Sequence, residues 1–443
     1  MWGAEGPMIL ISVSVDRFCG DLLQNSDRHE ITGSQAALRL RDMNRSMIVI
    51  EQEDILGGHT NTHIDSSAKG PANFGVKVFD DVDITREYFK RLGVPFQKTH
   101  LEGGEGDKLY ADFRTGEFID YKPPNMTMAL ASYAQQAAKY PQLQKGFFFR
   151  EPVPEDLLLP FAEFIKKYNI GDAIEIIYTY CQGFGDLLKR LTLYVFKTFD
   201  LTVLRDLQNG YLIPTSGDNH EVYDKAFEII KSDVLFRSRV ERVHRGLDYV
   251  TVVVNTASGT RIIRARKLLV SIAPTLDNLG GFDLDMEEES IFKHFKTTGY
   301  YTSVVKVPGL RKFDSLTNFN PNTAYNLPKL PGIYWVTPTA PDKYDIKYGS
   351  PRALGDDYVK ADIIRTMKRF QAPGSEEPEI VAWSSHTPFG ATVSRDAIKS
   401  GFYERLYSLQ GRRNTYYTGA AFHAHNSGLL WRFTEEVLQE MMK

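Results

Sequence analysis

The stretch from Ser34 to Glu51 places the strongest constraint on the fold of this chain. Ser34 to Arg41 is rich in residues of high helix propensity, and the apolar run Met47–Ile50 follows it. A helix that leads into a short apolar strand is the second half of a βαβ unit, the repeating element of a parallel sheet covered by helices. The sequence therefore predicts an α/β fold.

Two features at the end of this strand indicate a nucleotide site. Glu51 follows the strand directly, where a carboxylate can accept hydrogen bonds from both hydroxyls of an adenosine ribose. Gly57 and Gly58 come next, and adjacent glycines allow backbone amides to approach a diphosphate or an isoalloxazine ring. Each feature also has an ordinary structural explanation, namely a solvated strand end for Glu51 and a plain tight turn for the two glycines.

The glycine fingerprint that normally precedes such a strand is incomplete. In G-x-G-x-x-G the first two glycines permit a tight turn and the approach of a pyrophosphate, and the third permits close helix packing. Gly33 occupies the third position, 18 residues before Glu51, but Arg28 and Glu30 stand where the other two glycines belong. Their side chains would obstruct or repel a pyrophosphate.

Composition excludes several classes of protein. The 443 residues carry 53 Lys and Arg against 56 Asp and Glu, and a net charge of −3 provides no field that would hold nucleic acid. Two cysteines, Cys19 and Cys181, cannot form a disulfide framework. The early apolar run 8–13 is shorter than a signal-peptide core, and no window approaches the roughly 20 apolar residues of a membrane span. We expect a cytoplasmic protein that acts on a small molecule, with no nucleic-acid partner and no integral membrane segment.

The remaining pattern divides the chain into helical and β-rich parts. The stretch 82–199 is expected to be mainly helical, with helices at 84–92, 126–139, 155–167 and 187–199. Short β-branched runs between polar or glycine turns predict strands at 234–236, 240–243, 250–254, 262–263 and 267–272. Toward the end of the chain we predict a helix at 357–370, a strand at 414–418 and a helix at 428–442.

The last strand and helix form a second candidate site. The strand ends in a turn at Gly419, and the N-terminal end of the last helix points its positive dipole back at that turn. This arrangement suits a diphosphate or the electron-rich end of a flavin. An ordinary strand–loop–helix connection would show the same pattern.

Five separated segments together resemble one family. They are 49–51 (Val-Ile-Glu), 56–62 (Leu-Gly-Gly-His-Thr-Asn-Thr), 75–79 (Gly-Val-Lys-Val-Phe), 240–243 (Val-Glu-Arg-Val) and 417–422 (Tyr-Thr-Gly-Ala-Ala-Phe), the last followed by Leu430 and Trp431. In this order they resemble the FAD-dependent amine oxidase and phytoene desaturase superfamily, and most closely the fungal beta-cyclopiazonate dehydrogenase family. The resemblance extends from about Gly33 to the end of the chain and does not include residues 1–32.

The resemblance implies an architecture of two interleaved domains. A Rossmann-like FAD-binding domain of the glutathione reductase type is expected from residues 1–80, 206–275 and 401–443, of which 1–32 are atypical. An α+β substrate-binding domain is expected from residues 81–205 and 276–400.

The resemblance also implies site residues. Glu51 would bind the ribose, Val240 would hold the adenine through its backbone, and the expected FAD contacts as a set are Gly33, Glu51, Gly57, Gly58, Thr60, Val240, Gly419, Phe422 and Leu430. Trp383, His386, Phe422 and Trp431 are candidates for lining the flavin ring, and Trp383 and His386 are the catalytic candidates, with His386 a possible base. Each of these aromatic residues could equally belong to the core. No metal site is expected. The flavin is expected to be non-covalent, with His59 the place to look for a histidyl bond.

The implied activity is removal of a hydride to flavin N5 during dehydrogenation or oxidative cyclisation. The expected substrate is a bulky nitrogen-containing or prenylated aromatic secondary metabolite. Two alternatives stay open at this point. The protein could be a general amine oxidase or a polyene desaturase, or the incomplete fingerprint could mark a non-catalytic, degenerate flavoprotein.

Overall fold

A computed structural model describes residues 8–11, 32–68, 70–101 and 107–443. The predictions about Arg28, Glu30 and Cys19 lie outside these residues. The strands are β1 (Met8–Ile11), β2 (Met47–Ile50), β3 (Thr62–His63), β4 (Ala72–Asn73), β5 (Phe96–Thr99), β6 (Lys108–Asp112), β7 (Glu117–Ile119), β8 (Tyr211–Pro214), β9 (Val234–Leu235), β10 (Arg239–Arg245), β11 (Val250–Thr256), β12 (Gly259–Ala265), β13 (Leu268–Val270), β14 (Lys296–Lys306), β15 (Ser315–Asn318), β16 (Gly332–Ala340), β17 (Lys343–Ser350), β18 (Glu379–Ser385), β19 (Phe389–Thr392) and β20 (Thr415–Tyr417).

The α-helices alternate with these strands along much of the chain. They are α1 (Thr32–Asp42), α2 (Asp83–Leu92), α3 (Thr127–Ala137), α4 (Phe161–Tyr168), α5 (Ile174–Tyr180), α6 (Thr192–Thr198), α7 (Leu201–Asn209), α8 (Glu221–Ile230), α9 (Met286–Phe292), α10 (Asp356–Met367), α11 (Arg395–Lys399), α12 (Phe402–Tyr407) and α13 (Ser427–Met441). The chain thus has a mixed α/β fold. Among the described residues, no helix combines the length and apolarity needed to cross a bilayer.

A parallel sheet contains the strand that precedes Glu51, where the sequence predicts a nucleotide site. Its strand order is β20-β13-β1-β2-β9, and each neighbouring pair is parallel. Helix α1 joins β1 to β2 and buries Ala36, Ala37, Leu38 and Leu40, so the predicted half of a βαβ unit is confirmed. The other half was not expected, because β1 comes from the early apolar run that the sequence argument considered only as a leader segment.

An antiparallel meander is inserted between two strands of that sheet. Strands β10, β11 and β12 follow β9 and precede β13, so the chain leaves the parallel sheet and returns to it. The short β-branched runs predicted in this region are all present as strands. Arg245, at the end of β10, ties the meander to α9 through a bidentate ion pair with Glu288, with contacts of 2.5 and 2.8 Å.

A second large sheet contradicts the expected helical character of part of the stretch 82–199 and adds strands in a region for which none was predicted. Its strand order is β18-β14-β17-β16-β15-β6-β7, with β19 also paired to β14. Strands β6 and β7 lie in the stretch predicted to be mainly helical, and β14 to β17 lie where no strand was predicted. The reason is visible in β14, whose buried residues include Thr298, Thr302 and Ser303. Polar residues on a buried face conceal the alternating pattern by which strands are recognised.

Two predicted helices are shorter than expected, and both begin after a short 3₁₀ turn. In place of one helix at 155–167, a 3₁₀ turn at Glu155–Leu158 is followed by α4. Leu159 is extended, with φ −71° and ψ 141°, because the residue before Pro160 is sterically disfavoured in the helical region. The predicted helix at 187–199 likewise splits into a turn at Leu187–Lys189 and α6.

Candidate active site

Glu51 lies at the carboxyl edge of the parallel sheet, where ligands of such sheets bind. Its backbone N–H donates to the Leu235 carbonyl at 2.8 Å, and its own carbonyl accepts from Ser238 N–H at 3.0 Å. The side chain is 2 % exposed, and Oε1 accepts from the Glu53 N–H at 2.9 Å. Val240 follows two residues after Ser238 and is buried at the start of the meander. The structure thus brings Glu51 and the Val240 segment together.

Gly33 lies in the first turn of α1, against the neighbouring strand end. A Cβ placed on Gly33 would lie 3.4 Å from Ser271 Oγ, just beyond β13. That distance is ordinary van der Waals contact, so Gly33 lies near the strand end in a position that a small side chain could also occupy. Glu51 and the Val240 segment at this edge fit the adenosine end of FAD. The segment 12–31, which holds the positions of the other two glycines, lies outside the described residues.

Glycines with positive φ form two turns in the parallel-sheet part of the chain. Gly57 has φ 103° and Gly58 φ 51°, and the Thr60 N–H closes the first turn on the Gly57 carbonyl at 2.9 Å. Gly419 has φ 105° two residues after the end of β20, and the N–H of the intervening Thr418 donates to the Val270 carbonyl. Glycine adopts the φ values above 100° without strain, whereas the φ of 51° at Gly58 is close to that of Asn44 and Asn169. A Cβ on Gly57 would lie 2.8 Å from the Tyr223 ring, so this glycine also permits close packing. Both turns are among the FAD contacts that the family resemblance implies.

A partly open cavity of about 260 Å³ adjoins these turns. On one side it is lined by His59, Ala420 and Leu430, next to the glycine turns and at the start of α13. The other side carries aromatic side chains from the helical layer and the second sheet, including Tyr180, Phe184, Tyr300 and Phe389. The cavity thus lies where the parallel-sheet part of the chain meets the remainder.

His386 is one of the sequence candidates that line this cavity. Its side chain is 3 % exposed and its ring stacks on His59, with centroids 4.1 Å apart and planes 16° apart. His386 Nε2 lies 3.0 Å from Asn61 Oδ1, and Ser384 Oγ donates to the same oxygen at 2.6 Å. These contacts hold the imidazole in one orientation at the cavity wall.

Three other aromatic candidates lie elsewhere. Trp383 points away from the lining of this cavity: its Nε1–H donates to Asp356 Oδ2 at 2.6 Å and its ring stacks on Tyr301. Phe422 packs between Tyr417 and Phe433, with ring planes 16° and 21° from theirs. Trp431 is fully buried against Phe79 and Tyr88. Among the sequence candidates, His59, His386 and Leu430 line the cavity.

Two charged groups in the cavity wall escaped the sequence argument. Lys77 lines the cavity and forms an ion pair with Asp345, which also pairs with Lys347 at 3.0 Å. Burial lowers the pKa of Lys347 to about 8. Asp80 lines the cavity as well. Lys77 lies within the segment 75–79 that carries the family resemblance, and Asp80 directly follows it. The resemblance therefore pointed to this region but gave neither residue a role.

His425 completes the imidazole groups of the cavity. Its ring stacks on Phe389 with centroids 4.0 Å apart, and its Nε2 accepts from the Gly390 N–H at 3.3 Å. Burial lowers the pKa of His425 to about 4, so the ring is neutral at physiological pH.

In the described residues, no group of three or more His, Cys, Asp or Glu side chains could hold a metal ion. Cys181 is buried and its pKa is raised by burial, so it is a poor nucleophile.

The parallel sheet with its glycine turns, joined to an aromatic cavity, fits a flavin-dependent oxidoreductase. The chain belongs to the family of flavin containing amine oxidoreductases, whose profile matches residues 31–308. FAD is therefore its cofactor, and it is an FAD-dependent oxidoreductase related to enzymes of fungal secondary metabolism.

Named relatives cover nearly the whole chain. The FAD-dependent oxidoreductase dbaF of Emericella nidulans is 35% identical over 420 residues, covering 93% of this chain and 89% of the relative. The beta-cyclopiazonate dehydrogenase of Aspergillus flavus is 35% identical over 418 residues, covering 93% and 90%. These identities confirm the resemblance to the fungal beta-cyclopiazonate dehydrogenase family.

Solved structures show the same fold at low sequence identity. A fatty acid isomerase from P. acnes that produces CLA superposes with a TM-score of 0.74 at 17% identity, covering 99% of both chains. Putrescine oxidase bound to putrescine superposes with a TM-score of 0.63 at 16% identity, again covering 99% of both chains. Both likenesses concern the fold alone.

Proposed function

We propose that this oxidoreductase dehydrogenates or oxidatively cyclises a bulky nitrogen-containing or prenylated aromatic secondary metabolite. FAD, when bound, would accept the hydride at N5. The observation that carries the proposal is the partly open cavity, which has glycine turns on one side and a wall of aromatic side chains on the other. Such a wall favours flat or apolar substrates, because aromatic faces stack and exclude water.

Each part of the chain has a proposed role in this function. The parallel sheet with its meander would form a glutathione reductase-type FAD domain from residues 1–80, 206–275 and 401–443, and residues 81–205 and 276–400 would bind substrate. The exit of the chain from the parallel sheet and its return through β9, β13 and β20 support this interleaving. Glu51 and Val240 would hold the adenosine, while Gly57, Gly58, Thr60 and Gly419 would meet the ring end.

His386 would orient the substrate at the cavity wall. Its ring is held by Asn61 and stacked on His59, so its position is set before a substrate enters. Trp383 would act through packing of the strand that carries His386, because its indole is engaged by Asp356. The flavin would be bound non-covalently, with His59 the place to look for a covalent link.

The test is anaerobic reduction of the bound flavin. The purified full-length chain would be mixed with indole-type compounds, polyenes and simple amines, and the flavin absorbance would be followed. Reduction by prenylated or indole-type compounds is the expected result. Reduction by polyenes or by simple amines alone would favour the desaturase or amine oxidase alternative, and a preparation that binds no FAD would contradict the proposal.

A further inference from the structure

We propose that Asp80 is a specificity-determining residue that binds a positively charged or N–H-bearing nitrogen of the substrate. The inference rests on the proposed function, since it concerns the same cavity, and it adds the group that would choose among substrates. The aromatic wall selects for shape and apolarity. A carboxyl group selects for a hydrogen-bond donor or a cation.

The geometry gives Asp80 one occupied and one open oxygen. The residue is 8 % exposed and lines the cavity. Oδ2 accepts a hydrogen bond from Asn426 Nδ2, and Asn426 in turn caps α13, its Oδ1 accepting from Leu429 N–H at 3.0 Å. Within the described part of the chain, Oδ1 accepts no hydrogen bond. Asn426 therefore orients the carboxyl, and the second oxygen is left for a ligand.

The surroundings of Asp80 are electrostatically negative. Burial is the main cause that raises the pKa of Asp80, to about 8, and the nearby Asp200 and Asp206 raise it further. Arg205 lowers the pKa of Asp80, but its guanidinium already pairs with Asp206 at 2.8 Å. Tyr211, from β8, also faces this group, and it carries no positive charge. Asp80 by itself therefore keeps a proton at neutral pH, and a protonated amine bound at Oδ1 would displace that proton to solvent and leave Asp80 as a carboxylate.

Other occupants of this position fit less well. The lysine in the cavity wall, Lys77, is already engaged with the buried Asp345. A metal ion would need several ligands, and the described residues offer no group of three suitable side chains. An anionic substrate group would be repelled. A nitrogen that carries protons is thus the ligand whose chemistry matches this carboxyl.

The experiment compares a cationic probe with a neutral one of similar shape. Benzylamine and benzyl alcohol would be titrated into the full-length protein by calorimetry, a readout that does not depend on turnover. We expect benzylamine to bind at least about tenfold more tightly, since hydrogen bonds to charged groups are among the stronger ones. In Asp80→Asn this preference should fall to about twofold or less.

A matched control lies at the next residue. Asp81 pairs with Arg86 and does not line the cavity, so Asp81→Asn should keep the full preference for benzylamine. Asp80→Leu provides a second variant without charge if Asp80→Asn fails to fold. An unchanged preference in the Asp80 variants, or none in the unaltered protein, would overturn the inference. Failure of every tested compound to reduce the flavin, with the Asp80-dependent preference intact, would count against the proposed function alone.

Discussion

The titration of Asp80 should be measurable in the stability of the protein as a whole. The folded-state pKa of Asp80 lies above the usual carboxyl value, so the folded protein keeps a proton that the unfolded chain loses. Stability from this group is therefore complete below about pH 4 and is lost as the pH rises toward about 8. We expect Asp80→Asn to unfold at a higher temperature than the unaltered protein at pH 8, with a smaller difference at pH 5.

Thermal melts at several pH values between 5 and 9 would measure this effect. The gain at pH 8 should be at least about 1 kcal/mol in the free energy of unfolding, since one unit of pKa shift corresponds to about 1.4 kcal/mol. Asp81→Asn is again the control. A melting difference that does not change with pH would contradict the buried, proton-retaining state of Asp80.

His386 and Trp383 are predicted to differ in their effects on catalysis. His386 lines the cavity, so His386→Ala should slow flavin reduction by at least about tenfold, as expected when a positioned polar group is removed. Trp383→Phe keeps the ring that stacks on Tyr301 and should change the rate by about twofold or less. Stopped-flow flavin reduction measures both. An equal loss in the two variants would show that Trp383 has a part in catalysis that its position does not explain.

The turn formed by residues 56–62 packs tightly against Gly75, so a side chain at that glycine should not be tolerated. A Cβ on Gly75 would lie 1.9 Å from the carbonyl oxygen of His59 and 2.6 Å from Asn61 N, both of them backbone atoms. Gly75→Ala must therefore displace the turn that carries Gly57 and Gly58. We expect it to lower the melting temperature and the flavin content together.

The matched control for this element is Gly70. A Cβ placed there meets nothing within 4 Å, and Gly70→Ala should leave both flavin content and melting temperature nearly unchanged. The two variants carry the same added methyl group. Flavin content per chain, from the absorbance of protein and released FAD, would distinguish them. Normal flavin binding by Gly75→Ala would mean that this turn is not part of the FAD site.

At the scale of the whole molecule, Arg245 links the meander, α9 and the parallel sheet. Its guanidinium is fully buried, pairs with Glu288, and approaches the hydroxyl of Tyr417 on β20. Arg245→Met would leave the buried Glu288 carboxylate without its main partner, at a cost of about 3–5 kcal/mol. The double variant Arg245→Met with Glu288→Leu should recover much of that loss. Chemical denaturation measures both, and equal losses in the single and double variants would contradict this account.

The second prediction at this scale concerns the N-terminal segment. Strand β1 is paired on both sides, but the connection to α1 carries Arg28 and Glu30 at the positions of two fingerprint glycines. Replacing residues 12–32 by a short turn ending in G-x-G-x-x before Gly33 should tighten FAD binding by at least about tenfold, because the pyrophosphate would then meet backbone N–H groups. FAD titration of the apo-protein measures this, with unchanged affinity the contrary result.

Local features of the chain were sufficient for much of the parallel-sheet part. Short-range properties, namely helix propensity, the absence of a Cβ and the periodicity of apolar residues, were enough to predict several features. These are the helix before β2, the acidic residue at the end of β2, the glycine turns, and the last strand and helix. These properties act within a few residues, so they remain readable without knowledge of the rest of the chain. The same holds for the short strands of the meander.

Only the tertiary structure revealed the second sheet, the role of β1 and the residues that line the cavity. Strand β1 pairs with β13, about 260 residues away, and the cavity joins Asp80 to Asn426 and His59 to His386 across more than 300 residues. Such pairings have no local signature in the sequence. Burial also decides which carboxyl keeps its proton and which aromatic side chains are core rather than wall, because solvent exclusion is a property of the assembled fold.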